Sequence, residues 1–213
     1  MFDQISAIGV VPVVVIENPE HAVPLADALS AGGVSVVEVT FRTSAAAEAL
    51  RRIREARPAM IVGAGTVIST ENVSAAVDAG AQFGVAPGCN VKTLALAEKL
   101  GLPFIPGVCT PSEIESALSF GIRLLKYYPC EAAGGLPFLS AIAAPFRHLG
   151  VRYMPSGGVT PENLANYLAC DVVTCVGGTW LAKTEDLSRG NWDAITERCQ
   201  AAVETVRRVR NSK

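Results

Sequence analysis

Eight runs of apolar, mostly β-branched residues recur along the chain, at residues 9–16, 34–40, 60–66, 82–87, 103–107, 122–128, 151–156 and 172–178. Near-continuous Val/Ile runs of this kind indicate strands buried on both faces, as in parallel sheets. Each run is followed by a segment with helical composition, at residues 20–33, 44–57, 70–80, 91–101, 111–121, 135–149, 161–170 and 192–209. The alternation predicts an α/β protein with a parallel sheet, and eight units favour a closed (β/α)8 TIM barrel over an open sheet. Punctuation agrees: Gly32-Gly33, Gly80 and Gly101 close predicted helices, while Thr110-Pro111 and Thr160-Pro161 open them. There is no linker or low-complexity tract, so one domain is expected across residues 1–213.

Composition narrows the function. Charged residues make up 18% of the chain and the formal net charge is -2, so neither nucleic acid nor an anionic membrane is expected as a partner. The basic clusters Arg51–Arg54 and Arg207–Lys213 read as solvated helix faces or a tail. The six cysteines have no C-x-x-C spacing, and His21 and His148 lack a local metal partner. No disulfide framework, metal site or cofactor is expected. The first residues lack a basic signal-peptide region and residues 7–16 are too short to span a bilayer. A soluble, reduced, cytoplasmic protein is the expectation.

Active sites of such barrels lie at the C-terminal ends of the strands, and the exceptions to the apolar pattern fall there. They are Glu38 to Arg42 on the second strand, Gly63 to Thr66 on the third, Ala86-Pro87-Gly88 on the fourth, Lys126 on the sixth, Ser156-Gly157-Gly158 after the seventh and Gly177-Gly178-Thr179 after the eighth. Side-chain alternation puts Val36, Glu38 and Thr40 on one face, with Arg42 extending it if the strand persists. Glu38 and Lys126 both point inward, which leaves two readings. They form a structural ion pair, or they are a nucleophilic amine and its acid/base. Burial among Leu124, Leu125 and Tyr127 lowers the lysine pKa on the second reading, and a neutral amine attacks a ketone to form a Schiff base. Glu38 then moves protons, while Arg42 and Thr66 suit a carboxylate. The set fits a 2-keto acid. Two glycine pairs with hydroxyl neighbours at the last two strand ends suit a phosphate.

The stretches EVTFRT (residues 38–43), VGAGTV (62–67), PFIPGVCTPSE (103–113), LLKYYPCEAAGG (124–135), PSGGVTPEN (155–163) and VGGTWL (176–181) resemble the 2-keto-3-deoxy-6-phosphogluconate (KDPG) aldolase family, also active as 4-hydroxy-2-oxoglutarate aldolase. The resemblance covers nearly the whole chain. It implies a class I, metal-independent aldehyde-lyase that releases pyruvate and glyceraldehyde 3-phosphate, on a (β/α)8 barrel that assembles as a homotrimer. It also implies Lys126 as the Schiff-base lysine, Glu38 as acid/base, and Arg42 and Thr66 as ligands of the pyruvate carboxylate. Pro87 joins the substrate-binding set, and Ser156, Gly157, Gly158, Gly178 and Thr179 form the phosphate end. Many relatives have Phe-Phe-Pro-Ala where this chain has Tyr127-Tyr128-Pro129-Cys130, and some carry a basic residue after strand one where this chain has Glu17-Asn18. A galactonate-type aldolase, a phosphosugar isomerase or epimerase using Lys126 as a fixed cation, and a non-catalytic barrel are the alternatives.

Overall fold

A computed structural model describes residues 1–212. Its strands are β1 Val10–Val14, β2 Val36–Thr40, β3 Ile61–Gly65, β4 Phe83–Val85, β5 Phe104–Ile105, β6 Gly107–Val108, β7 Leu124–Tyr127, β8 Arg152–Pro155 and β9 Val176–Gly178. The helices are α1 Phe2–Ile8, α2 Ala22–Ala31, α3 Ala46–Ala56, α4 Thr70–Asp78, α5 Val91–Lys99, α6 Pro111–Ser119, α7 Gly135–Ala143, α8 Leu164–Ala169, α9 Thr184–Arg189 and α10 Trp192–Asn211.

The strand pairs are parallel. Six strands form one sheet, in the order β5-β4-β3-β2-β1-β9, and three form another, β6-β7-β8. The α/β class with parallel strands is therefore as expected, but the ladder is not one continuous eight-stranded sheet. The fifth predicted strand divides at Pro106 into β5 and β6. Proline has no N–H to give a ladder, and the Pro106 carbonyl accepts from the Lys126 N–H at 2.8 Å. Isolated bridges, Tyr153 to Val173 and Ser156 to Gly177, connect the second sheet toward β9.

The β-branched runs are buried because helices cover them. All of β1, β2, β3 and β7 is buried. In α3, Ala46, Ala49, Leu50 and Ile53 face the core at helical spacing. Its outer face carries Arg51 and Arg52, which pair with Glu48 at 2.5 and 2.8 Å, so this basic cluster is a solvated helix face. Thr110 and Glu113 form a reciprocal capping box at the start of α6.

Two local expectations shift. Residues 135–149 are α7 followed by a 3-10 turn over Ala144–Leu149, because Pro145 cannot continue an α-helix. The helix expected from Pro161 begins at Leu164, since the Asn163 Oδ1 accepts from the Thr160 N–H at 2.8 Å and holds a turn there. Helices α1 and α9, each under eight residues, carry too little periodicity to be read from sequence. Among the described residues no helix is long and apolar enough to cross a membrane.

Candidate active site

Register places the two central residues. Glu38 lies opposite Val13 of β1 and Gly63 of β3, whereas Lys126 lies opposite Gly107 of β6 and Met154 of β8. They belong to different sheets, yet Lys126 Nζ stands 3.4 Å from Glu38 Oε1. The sheets must curl toward each other for this contact to form. Lys126 is 6% exposed and Glu38 0%. The other carboxylate oxygen, Glu38 Oε2, is buried and has no hydrogen-bond partner among the described residues. Burying two charges is offset only when the geometry is good and the remaining lone pairs are filled. A 3.4 Å contact through one oxygen meets neither condition, which weighs against a purely structural pair. A buried amine beside a carboxylate with a free oxygen can add to a carbonyl and pass protons.

The carboxylate is seated by a glycine. A Cβ on Gly65 would lie 2.3 Å from Glu38 Oε1, and one on Gly63 would lie 2.3 Å from the Phe83 ring. The two glycines of the third strand end therefore make room for Glu38 and Phe83. This role is readable in sequence only as a Gly-x-Gly pattern inside a strand, a sign of close approach.

Arg42 does not continue β2. That strand ends at Thr40, and the chain turns with the Arg42 N–H donating to the Thr40 carbonyl at 2.9 Å. Two hydroxyls pin this turn to β1: Thr40 Oγ1 donates to the Val14 carbonyl at 2.9 Å, and Thr43 Oγ1 to the Ile16 carbonyl at 2.6 Å. The turn brings Arg42 Nε to 3.0 Å from Thr66 Oγ1. Thr66 has φ 57, the one non-glycine residue at positive φ among those described. A β-branched residue resists that conformation, so its hydroxyl is aimed beside Arg42 at a cost in strain. The Arg42 guanidinium is exposed and forms no ion pair among the described residues, leaving donors for an incoming carboxylate.

Just past the end of β8, Ser156 is buried, and its Oγ has no partner among the described residues. A Cβ on Gly177 would lie 2.3 Å from that oxygen, so the glycine accommodates the hydroxyl. Gly157 and Gly158 adopt φ 86 and 109, and both are exposed. Gly178 lies under the Trp180 indole, whose Nε1 would be 2.5 Å from a Cβ there. Thr179 is exposed and lines a cavity of about 380 Å³ with Val13, Val15, Ala182 and Lys183. Lys183 is a cation at this end that sequence reading did not single out. Pro87 lines a separate cavity of about 320 Å³ with Val67, Ile68 and Cys89. The Pro87 carbonyl would lie 2.1 Å from a Cβ on Gly107, so glycine there lets the fourth strand end approach β6.

The loop after Lys126 is braced from behind. The Cys130 N–H donates to the Ser156 carbonyl at 2.8 Å, and the Glu131 N–H to the Gly157 carbonyl at 3.1 Å. The Tyr167 hydroxyl donates to Glu131 Oε1, and burial together with that carboxylate pushes the Tyr167 phenol well above its ordinary value. Burial pushes the Cys130 thiol up as well. Its Sγ donates to the Gly157 carbonyl at 3.2 Å. Among the described residues no cluster of three or more His, Cys, Asp or Glu side chains could hold a metal ion.

Comparison with known proteins identifies the family. The family model for KDPG and KHG aldolase matches residues 2–198. The KHG/KDPG aldolase of Escherichia coli strain K12 is 45% identical over 195 residues, covering 92% of this chain and 91% of that protein. The 2-dehydro-3-deoxy-phosphogluconate aldolase of Dickeya dadantii is 45% identical over 202 residues, covering 94% of each. The KDPG aldolase of Legionella pneumophila, solved with pyruvate captured at low pH as a covalent carbinolamine intermediate, superposes with a TM-score of 0.90 at 40% identity. The match covers 95% of this chain and 98% of that one. By sequence along nearly its whole length and by fold, the chain belongs to the KDPG and KHG aldolase family.

Proposed function

We propose that this protein is a class I aldolase that cleaves 2-dehydro-3-deoxy-6-phosphogluconate to pyruvate and glyceraldehyde 3-phosphate, and 4-hydroxy-2-oxoglutarate to pyruvate and glyoxylate. The observation that carries the reading is Lys126 Nζ at 3.4 Å from Glu38 Oε1, buried together, with the Arg42–Thr66 pair near the same strand ends.

On this reading the substrate carboxylate lies on Arg42 and Thr66, which fixes the C2 ketone toward Lys126. The neutral amine adds to C2 and gives a carbinolamine. Glu38 delivers a proton to the departing hydroxyl, water leaves, and an iminium forms. The iminium draws in the electron pair of the C3–C4 bond. Glu38 takes the proton from the C4 hydroxyl as the aldehyde departs, then returns one to C3 of the enamine. Hydrolysis frees pyruvate and restores the amine. Ser156, Gly157, Gly158, Gly178 and Thr179 hold the phosphate end, with Pro87 against the substrate. No metal or organic cofactor is needed for these steps.

We also read residues 1–213 as one domain whose described residues close into an eight-stranded barrel, supported by the bridges between the β8 and β9 segments; Lys213 lies outside the described residues. A homotrimer is supported by the family resemblance, and exposed Ile68 and Val91 offer apolar surface for an interface; sedimentation showing only monomer at micromolar concentration would contradict it. Six unpaired cysteines support a reducing cytoplasm. The test of substrate class is steady-state pyruvate release from 2-dehydro-3-deoxy-6-phosphogluconate, its galactonate diastereomer and 4-hydroxy-2-oxoglutarate. Highest kcat/KM on the gluconate compound is expected. Preference for the galactonate compound would reassign the stereospecificity, and no pyruvate from any of them would overturn the reading.

A further inference from the structure

We propose that Tyr128 is a further catalytic residue, its ring face stabilising the positive charge that develops on the Lys126 nitrogen. The proposal rests on the Schiff-base reading above and adds a group which that reading does not use.

The Lys126 Nζ stands over the Tyr128 ring, 5.5 Å from its centroid. A cation within about 6 Å of an aromatic face is attracted by the ring quadrupole, and more strongly where water is excluded. Lys126 is buried and Tyr128 half-buried, so the amine meets the ring with little water around it.

The chemistry makes this contact worth more during the reaction than before it. The neutral amine, the ketone and one proton give an iminium and one water, so a positive charge appears at Nζ and C2. Glu38 stands on one side of that charge. The iminium keeps a single N–H, where an ammonium has three, so Glu38 can engage it at only one point. An aromatic face needs no N–H to stabilise a cation. A group that binds the charged intermediate better than the neutral ground state accelerates the step.

The ring is held in place. The Tyr128 N–H donates to the Val108 carbonyl at 3.4 Å. A Cβ on Gly157 would lie 3.0 Å from the ring, and φ at Gly157 is 86. Glycine at 157 therefore lets the backbone lie close against the phenol, which is confined between that glycine and Lys126. The effect needs the aromatic face and not the hydroxyl, so phenylalanine should serve as well.

The test is the fraction of protein carrying a pyruvate adduct after borohydride, measured by mass spectrometry across a pyruvate titration. Tyr128→Phe should match the wild type within about two-fold. Tyr128→Leu, apolar but without a π-face, should need about 3- to 30-fold more pyruvate for the same adduct. Phenylalanines carrying successively more ring fluorines at position 128 keep the shape and weaken the quadrupole. They should raise the pyruvate requirement stepwise while thermal melts stay level, and this series decides the matter if the leucine variant does not fold. Equal titrations for Tyr128→Leu and wild type, or a fluorinated series with no trend, would overturn the proposal and leave the Schiff-base reading intact. No adduct on the wild type would overturn both.

Discussion

Gly65→Ala is expected to disable the site through a single added methyl. Built on the existing backbone, that Cβ falls 2.3 Å from Glu38 Oε1, 2.7 Å from its Cγ and 2.9 Å from its Cδ. Reaching ordinary van der Waals contact requires the carboxylate to retreat by about 1 Å. Glu38 is fully buried, so the retreat is taken up by displacing it relative to Lys126, from which it now stands 3.4 Å. A misplacement of about 1 Å can cost roughly 10²-fold in rate, and overpacking a core costs about 1–3 kcal/mol of stability. Gly63→Ala separates the two effects. It overpacks the same strand at 2.3 Å, but against the Phe83 ring. Both variants should melt lower than wild type, while kcat for pyruvate release should fall about 10²-fold in Gly65→Ala alone. Wild-type kcat in a folded Gly65→Ala protein, or an equal fall in Gly63→Ala, would refute the steric reasoning.

Thr66→Gly should relieve about 1–2 kcal/mol of positive-φ strain against about 0.5–1 kcal/mol of glycine entropy, so its melt should stay near wild type. KM should nevertheless rise through loss of the hydroxyl, whereas Thr66→Ser should keep it; equal KM values in the two variants would contradict the role. Cys130→Ala should retain most adduct formation, since burial keeps its thiol protonated and no step uses it; loss of trapping in the folded variant would show otherwise. Burial pushes the Cys175 and Cys199 thiols from 9.0 up to about 12, and the Tyr127 and Tyr153 phenols from 10.0 up to about 12. The unfolded chain gives up these protons first, so their stabilisation is complete below about pH 9 and is lost as pH rises toward 12. Melts that stay level from pH 9 to 12 would contradict this.

The sequence carried the strands clearly because their Val/Ile runs are long and buried on both faces. It also marked Glu38, Arg42, Thr66 and Lys126 as exceptions, because charged and hydroxyl groups at apolar strand ends violate the pattern. What it missed was spatial. Pro106 reads as the interior of a strand until the ladder is seen to divide there. Alternation puts Arg42 on the Glu38 face only if the strand persists, and the hydroxyls of Thr40 and Thr43 reveal the turn that carries it instead. Gly65, Tyr128, Tyr167 and Lys183 are ordinary residues one at a time. Their meaning comes from neighbours distant in sequence, such as the 36 positions between Glu131 and Tyr167.

On the proposed mechanism Lys126 forms the covalent bond and Glu38 moves the protons. Mass spectrometry after pyruvate and borohydride, on folded Lys126→Met and Glu38→Gln with thermal melts alongside, tests it most directly. No adduct is expected on Lys126→Met. A slowly formed adduct is expected on Glu38→Gln, with turnover down by about 10²–10⁴-fold. A merely structural pair would instead cost each variant about 3–5 kcal/mol of stability. Adduct on Lys126→Met, or wild-type turnover in Glu38→Gln, would contradict the account.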